Sequence, residues 1–200
     1  MHAMNKNKQL IRYIAMTGML SAVSAVLMML SFSVPLVPSF LKMDLSELPA
    51  LIASFSMGPL SGVLVCLIKN LVNLPMTTTG GVGELANFLL GCLFVVPAGV
   101  IYRFKKTRKT ALIASLVGCV IMAIASLPLN YFVTYPVYMK VLPLEAIIGM
   151  YQSILPSVNG LLECLLIFNV PFTFCRGVVD IVLTLLIYKR ISPLIKGKDQ

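Results

Sequence analysis

The chain has 200 residues, 58% hydrophobic and only 12% charged, with a formal net charge of +9 and a mean hydropathy of +0.95. A soluble domain carries about 25% charged residues, so this chain cannot cover a water-facing surface and lipid must be the solvent for most of it. At about 20 apolar residues per helical crossing, the length accommodates about five to seven spans and excludes a second soluble domain of ordinary size.

Met1 to Met4 contain a second methionine and carry no weight in the argument. Gln9 to Val34 form the first apolar stretch, too long for a cleaved leader and ended by Pro35 and Pro38. A short loop with Lys42 and Asp44 follows. The next apolar region, about Leu45 to Leu74, is broken at Met57-Gly58-Pro59, a turn signal. It predicts two shorter helices, of which Ser46 to Met57 is too short to cross unaided and must be sheltered by neighbours or reach an interface through its loop. Pro75 to Gly83 reads as a loop, and Glu84 to Phe104 as a helix with Pro97 as a kink site. After a basic connector, Arg103 to Lys109, the next helix runs from Thr110 to Tyr135. Tyr135 to Asn169, with Pro136, Pro143 and Pro156, reads as an external excursion with some short helix, or else as a further membrane segment. Pro171 to Ile191 is the last clear span, with Pro171 suited to a first turn. The apolar runs lack the alternation of barrel strands, so the expected fold is an all-α integral membrane protein: one transmembrane domain over residues 1–200 with about six helices.

Charge placement supports that count. Twelve of the sixteen Lys and Arg residues fall in three clusters: Lys6, Lys8 and Arg12; Arg103, Lys105, Lys106, Arg108 and Lys109; Lys189, Arg190, Lys196 and Lys198. Positive residues favour the cytoplasmic side, and six helices with both termini inside put all three clusters there. The same reading accounts for the net charge without nucleic acid.

A charge at membrane depth costs about 2.5–3.5 kcal/mol on insertion scales, so the few present must face protein or a cavity. Lys69, Glu84, Glu163, Arg176 and Asp180 are the candidates, joined by Asn70, Asn73, Asn87, Asn130 and Asn169. Most lie toward the helix ends opposite the basic clusters, which suggests a polar cavity open to the outside. Plainer roles compete with this. Arg176 and Asp180, spaced i, i+4, can neutralise each other, although an arginine near a helix start opposes the dipole. Lys69 can snorkel, Glu84 can serve a helix N-terminus, and Asn130 can cap its helix. Five scattered cysteines and a single histidine, His2, form no metal-ligand or redox motif. Gly18-x-x-x-Ala22 and Ser21-x-x-x-Ala25 have a spacing that lets another helix approach closely.

Six segments in order carry a resemblance: Asp44-Leu-Ser-Glu-Leu-Pro-Ala-Leu51, Met57-Gly-Pro-Leu-Ser-Gly62, Leu67-Ile-Lys-Asn-Leu-Val-Asn73, Gly81-Val-Gly-Glu-Leu-Ala-Asn-Phe88, Leu129-Asn-Tyr-Phe132 and Val170-Pro-Phe-Thr-Phe-Cys-Arg-Gly177. Together they resemble the S-components of energy-coupling-factor transporters, most closely the riboflavin-binding type, over most of the chain. The resemblance implies six helices and an outward-facing riboflavin site capped by the loop after the first helix. It also implies a transmembrane coupling subunit, two cytoplasmic ATPases and a prokaryotic cell membrane. Gly18, Ser21, Ala22 and Ala25 would contact the coupling subunit, and Asn130 would meet the flavin ring. The family's last helix usually begins Pro-Phe-Asn-x-x-Lys-Gly; here Thr173 stands for the asparagine and Arg176 for the lysine.

The expected ligand set is therefore Asp44, Lys69, Asn73, Glu84, Asn87, Asn130, Thr173 and Arg176, with riboflavin as substrate and no cofactor. An amide and a guanidinium suit a ring edge bearing two carbonyls and an N–H. The sequence holds no G-x-x-x-x-G-K-[ST] motif, so ATP hydrolysis belongs to partners. The alternatives are an S-component for pantothenate or thiamin and, further off, a membrane enzyme.

Overall fold

The computed structural model describes residues 2–77, 79–140 and 142–196. Helix α1 (His2–Met29) leads into a two-stranded antiparallel hairpin, β1 (Phe32–Ser33) and β2 (Lys42–Met43), in which Phe32 faces Met43 and Ser33 faces Lys42. Pro35 and Pro38 lie within the connection between the strands, where neither disturbs the ladder.

Helix α2 (Glu47–Met57) turns into α3 (Pro59–Asn73) at Gly58, whose φ of 110° favours glycine. Pro59 then takes the first helical position, where its missing N–H costs nothing. A short 3-10 turn (Leu74–Met76) and Gly81, at φ 87°, lead into α4 (Val82–Phe104). Helix α5 (Arg108–Leu129) is capped by Thr107, whose hydroxyl accepts from the Thr110 N–H. It continues through a π-helical turn (Asn130–Thr134) into α6 (Tyr135–Tyr138). Helix α7 (Leu144–Gln152) follows. Finally α8 (Leu161–Cys164), a second π turn (Leu165–Asn169) and α9 (Val170–Lys196) run on as one helical rod. The two π turns directly precede Tyr135-Pro136 and Val170-Pro171. A proline ring collides with the carbonyl four residues back, and a wider turn there relieves the clash without ending the helix.

Among the described residues, five helical stretches are long and apolar enough to cross a bilayer: Asn7–Met29, Pro59–Met76, Val82–Phe104, Arg108–Tyr138 and Leu161–Tyr188. Helix α2 is the sixth, shorter member. Residues Glu47 to Phe55 are all buried, packed among α1, α3, α4 and α9. Protein on every side replaces the lipid it is too short to meet, which is the sheltered alternative expected for it. The main core gathers around it, with Leu51, Phe55, Val65, Phe94, Val95 and Ile181. Helices α4 and α5 approach closely at Gly118, where a Cβ would stand 2.3 Å from the Phe94 carbonyl oxygen.

Two expectations need correction. The last span starts at Leu161, not Pro171, so Pro171 lies inside the rod and not in its first turn. The excursion of Tyr135 to Asn169 shrinks to the stretch between α6 and α8, because Leu161 to Asn169 is helical and continuous with α9, so the membrane alternative holds for that part. Pro171 has the character of a helix start in sequence, whereas the π turn lets the helix run through it.

Candidate ligand-binding site

The C-terminal ends of α1, α3 and α5, the N-terminal end of α4 and the middle of the α8–α9 rod converge on a cavity of about 420 Å³. Phe40, Leu41 and Lys42 from the hairpin line it from above, and Met28, Met29 and Ser31 from the end of α1 form one side. The basic connector between α4 and α5 therefore lies at the opposite end of the bundle, as does the start of α1. Lys198 lies outside the described residues.

Of the expected ligand residues, Asp44, Asn73, Glu84, Asn87, Asn130, Thr173 and Arg176 line this cavity. Lys69 does not, which corrects its expected place. It is fully buried, and its Nζ donates to Glu47 Oε1 and to Ser46 Oγ, each at 2.6 Å. Asn130 opens the π turn and faces the cavity instead of merely ending a helix. Glu163 is exposed and accepts from the Asn159 N–H at 2.9 Å, away from the site.

The cavity wall is an ordered polar lattice. Glu84, in the first turn of α4, accepts from Asn73 Nδ2 at 3.1 Å, Thr77 Oγ1 at 2.7 Å and Thr79 Oγ1 at 3.3 Å. Asn87 Oδ1 accepts from Asn70 Nδ2 at 3.4 Å. Arg176 Nη2 donates to Asp44 Oδ1 at 3.1 Å and stands 3.7 Å from Glu47 Oε1. Asp180, four residues further on, makes no such contact: among the described residues, neither of its carboxylate oxygens has a hydrogen-bond partner. Arg176 lies well inside a rod that begins at Leu161, so no helix start opposes its charge.

Asp44 anchors the loop that carries the hairpin. Burial alone would raise its carboxyl, but the charges of Arg176 and Lys69 and hydrogen bonds from Ser46 outweigh it and hold the group below its ordinary value of 3.8. The Ser46 N–H donates to Asp44 Oδ1 at 2.9 Å, and Ser24 Oγ on α1 donates to the Ser46 carbonyl at 2.5 Å. Phe40 stands edge-on to Tyr135 and Tyr151, with ring centroids 6.5 and 5.7 Å away. The hairpin and the loop that follows it are thus tied to the bundle by the Asp44–Arg176 ion pair, the Ser24–Ser46 hydrogen bond and the ring contacts of Phe40.

Sequence reasoning missed Glu47, the shared partner of Lys69 and Arg176. It sits three residues after Asp44 at the head of an otherwise apolar helix, and that placement is the signal that could have found it. Gly91 makes room for it: a Cβ there would stand 3.0 Å from both Glu47 carboxylate oxygens. Also missed as lining residues were Thr134, Tyr138 and Phe172.

The small residues of α1 divide between two faces. Gly18 and Ala22 are exposed on the outside of the bundle, whereas Ser21 and Ala25 are buried. Ser21 Oγ donates to the Thr17 carbonyl at 2.8 Å, and the Thr17 and Ser61 hydroxyls meet at 2.8 Å. Ser21 and Ala25 therefore serve contacts within the chain, which corrects the expected four-residue partner face.

The model of the ECF transporter, substrate-specific component family matches residues 12–188. The chain belongs to that family, and so to the transport proteins and not to the enzymes. It is 33% identical over 193 residues to the riboflavin transporter RibU of Staphylococcus aureus (strain TCH60), spanning 96% of this chain and 95% of that protein. It is 31% identical over 189 residues to the riboflavin transporter FmnP of Bacillus subtilis (strain 168), spanning 93% of this chain and 95% of that protein. The fold is similar to a solved S component of a bacterial ECF transporter, with a TM-score of 0.73 and 32% identity over 96% of this chain and 99% of that chain.

Proposed function

We propose that this chain captures riboflavin from outside a prokaryotic cell and holds it in the cavity beneath the hairpin for ATP-driven uptake. The observation that carries the proposal is the cavity itself. It is of small-molecule size, lies away from the basic segments, and is lined by Asn130, Asn87, Asn73 and Arg176 beside the apolar Phe172, Phe40 and Leu90. A flat, largely apolar ring suits the aromatic and aliphatic walls. Its polar edge suits amides and a guanidinium, which both donate and accept between them. The ribityl hydroxyls suit the Asn73–Thr79–Glu84 lattice, which offers acceptors at a carboxylate and donors at an amide. Two relatives named riboflavin transporters support the same reading.

In this reading Asp44, Asn73, Glu84, Asn87, Asn130, Thr173 and Arg176 meet the ligand, and Lys69 acts through Glu47. Both termini and the α4–α5 connector are cytoplasmic in this reading, the placement that the positive-inside rule favours. A transmembrane coupling subunit and two cytoplasmic ATPases supply the energy, and the coupling subunit docks on α1 at Gly18 and Ala22. The test is a titration of riboflavin into protein in detergent, followed by quenching of flavin fluorescence. Asn130→Ala and Arg176→Ala are each expected to weaken binding about tenfold or more, the scale of one lost buried hydrogen bond. Unchanged titrations for both variants would remove the site assignment.

A further inference from the structure

We infer that Thr134 and Asn169 determine ligand specificity: each presents hydrogen-bonding capacity to the polar edge of the bound ring, so recognition rests on two π-helical turns and not on Asn130 alone. The inference rests on the riboflavin reading and extends it to groups outside the expected set.

The two π turns supply the placement. One runs from Asn130 to Thr134, the other from Leu165 to Asn169, and Asn130, Thr134 and Asn169 all line the one cavity. A π turn inserts one extra residue and re-aims the side chains around it, a device found often at functional sites. Here it brings polar residues of two long membrane helices to the one cavity.

Thr134 is 5% exposed, and its hydroxyl is buried without a hydrogen-bond partner among the described residues. A threonine inside a helix ordinarily returns its hydroxyl to a carbonyl one turn back; this one does not. Arg176 Nε, also lining the cavity, is buried and unpartnered in the same way. Unmet hydrogen-bonding groups in an apolar interior are costly, and both belong to residues that line the one cavity.

Asn169 is 1% exposed and held from behind. Its Oδ1 accepts from Tyr151 Oη at 2.7 Å, and its Nδ2 donates to Tyr135 Oη at 3.2 Å. The two tyrosine hydroxyls also bond to each other. This triangle fixes which way the amide points and, among the described residues, leaves one N–H and one lone pair without a side-chain partner, since a side-chain amide has two of each. Asn169 and Thr173 are spaced i, i+4 on the α8–α9 rod and share a face. A donor and an acceptor therefore sit one turn from the position where the threonine hydroxyl offers less than an amide.

The experiment uses the full chain in detergent with two ligands, riboflavin and its N3-methyl analogue, in which the N–H of the polar edge is blocked. The variants are Thr134→Val, which removes the hydroxyl at nearly constant shape, and Asn169→Leu. Wild type is expected to bind riboflavin at least tenfold more tightly than the analogue. Each variant is expected to lose about tenfold in riboflavin affinity but clearly less in affinity for the analogue, so that the preference narrows. Equal losses for both ligands would mean a structural role only and would overturn the inference, as would unchanged riboflavin binding in Thr134→Val. If Asn169→Leu does not fold, Thr134→Val alone decides. Wild type that binds no flavin at all would overturn the riboflavin reading itself, a result distinct from either failure above.

Discussion

Lys69 Nζ lies 2.6 Å from Glu47 Oε1, with the two side chains 0% and 3% exposed. An ion pair this deep gains little net stability, because desolvation offsets most of the attraction, but leaving one member alone is severe. Lys69→Met should therefore destabilise the protein by about 3–5 kcal/mol, read as loss of thermal stability in detergent. Lys69→Met combined with Glu47→Leu should recover much of that loss, and a double variant as unstable as the single one would contradict the pairing. Asp44 gives a second, pH-dependent check. Its folded-state carboxyl sits below 3.8, so its stabilising contribution is complete above that value and is lost as the pH falls through the lower folded value. The Asp44 contribution should stay level from about pH 8 to about pH 5 and drop only in stronger acid. Asp44→Asn should lack that acid-linked loss; an unchanged acid limb would assign it to another group. At this scale the sequence identified costly side chains but not their partners. Arg176 with Asp180 is the local choice by spacing, whereas the pair that forms, Arg176 with Asp44, joins residues 132 positions apart, which no periodicity reveals.

The helices show how far apolar patterning reaches. The spans Pro59–Met76, Val82–Phe104 and the start of Arg108–Tyr138 follow closely from apolar runs and the Met57-Gly58-Pro59 break. The failure at Leu161–Asn169 has a physical cause. Proline normally marks a helix boundary, and a π turn that carries the helix across one has no sequence signature of its own. The β1–β2 hairpin, two residues per strand, is likewise below the length at which alternation becomes visible. Two predictions belong to single helices. Gly118→Leu should cost stability by overpacking, about 1–3 kcal/mol or more, because its side chain meets the Phe94 carbonyl at the α4–α5 contact; an unfolding temperature equal to wild type would contradict that close approach. On α1, a Cβ at Gly18 meets nothing within 4 Å and Ala22 is exposed. Gly18→Leu with Ala22→Leu should therefore leave folding and flavin binding intact while abolishing uptake by cells. Normal uptake would count against this face as the docking surface.

For the whole molecule, the distribution of charge and the position of the cavity express one arrangement. Basic segments occupy one end of the bundle, and costly polar groups gather at the other around a space of about 420 Å³. The opposition of the two ends was legible from the sequence, because both rest on solvation: lysine and arginine stay at an aqueous interface, and buried polar groups need partners. The depth of Lys69 and the inward turn of Thr134 were not, because they depend on how α2 and the π turns pack. Orientation can be checked with a single cysteine, Lys106→Cys, in a background lacking the native cysteines; an impermeant maleimide should label it only after cells are opened, and labelling of intact cells would invert the topology. The most direct test of the central claim is a titration of riboflavin into the purified wild-type chain with stoichiometry measured. One flavin per chain, with quenched fluorescence and no displacement by pantothenate or thiamin, is the predicted result. Fluorescence unaffected by the protein, with thermal stabilisation by one of the other vitamins instead, would contradict it.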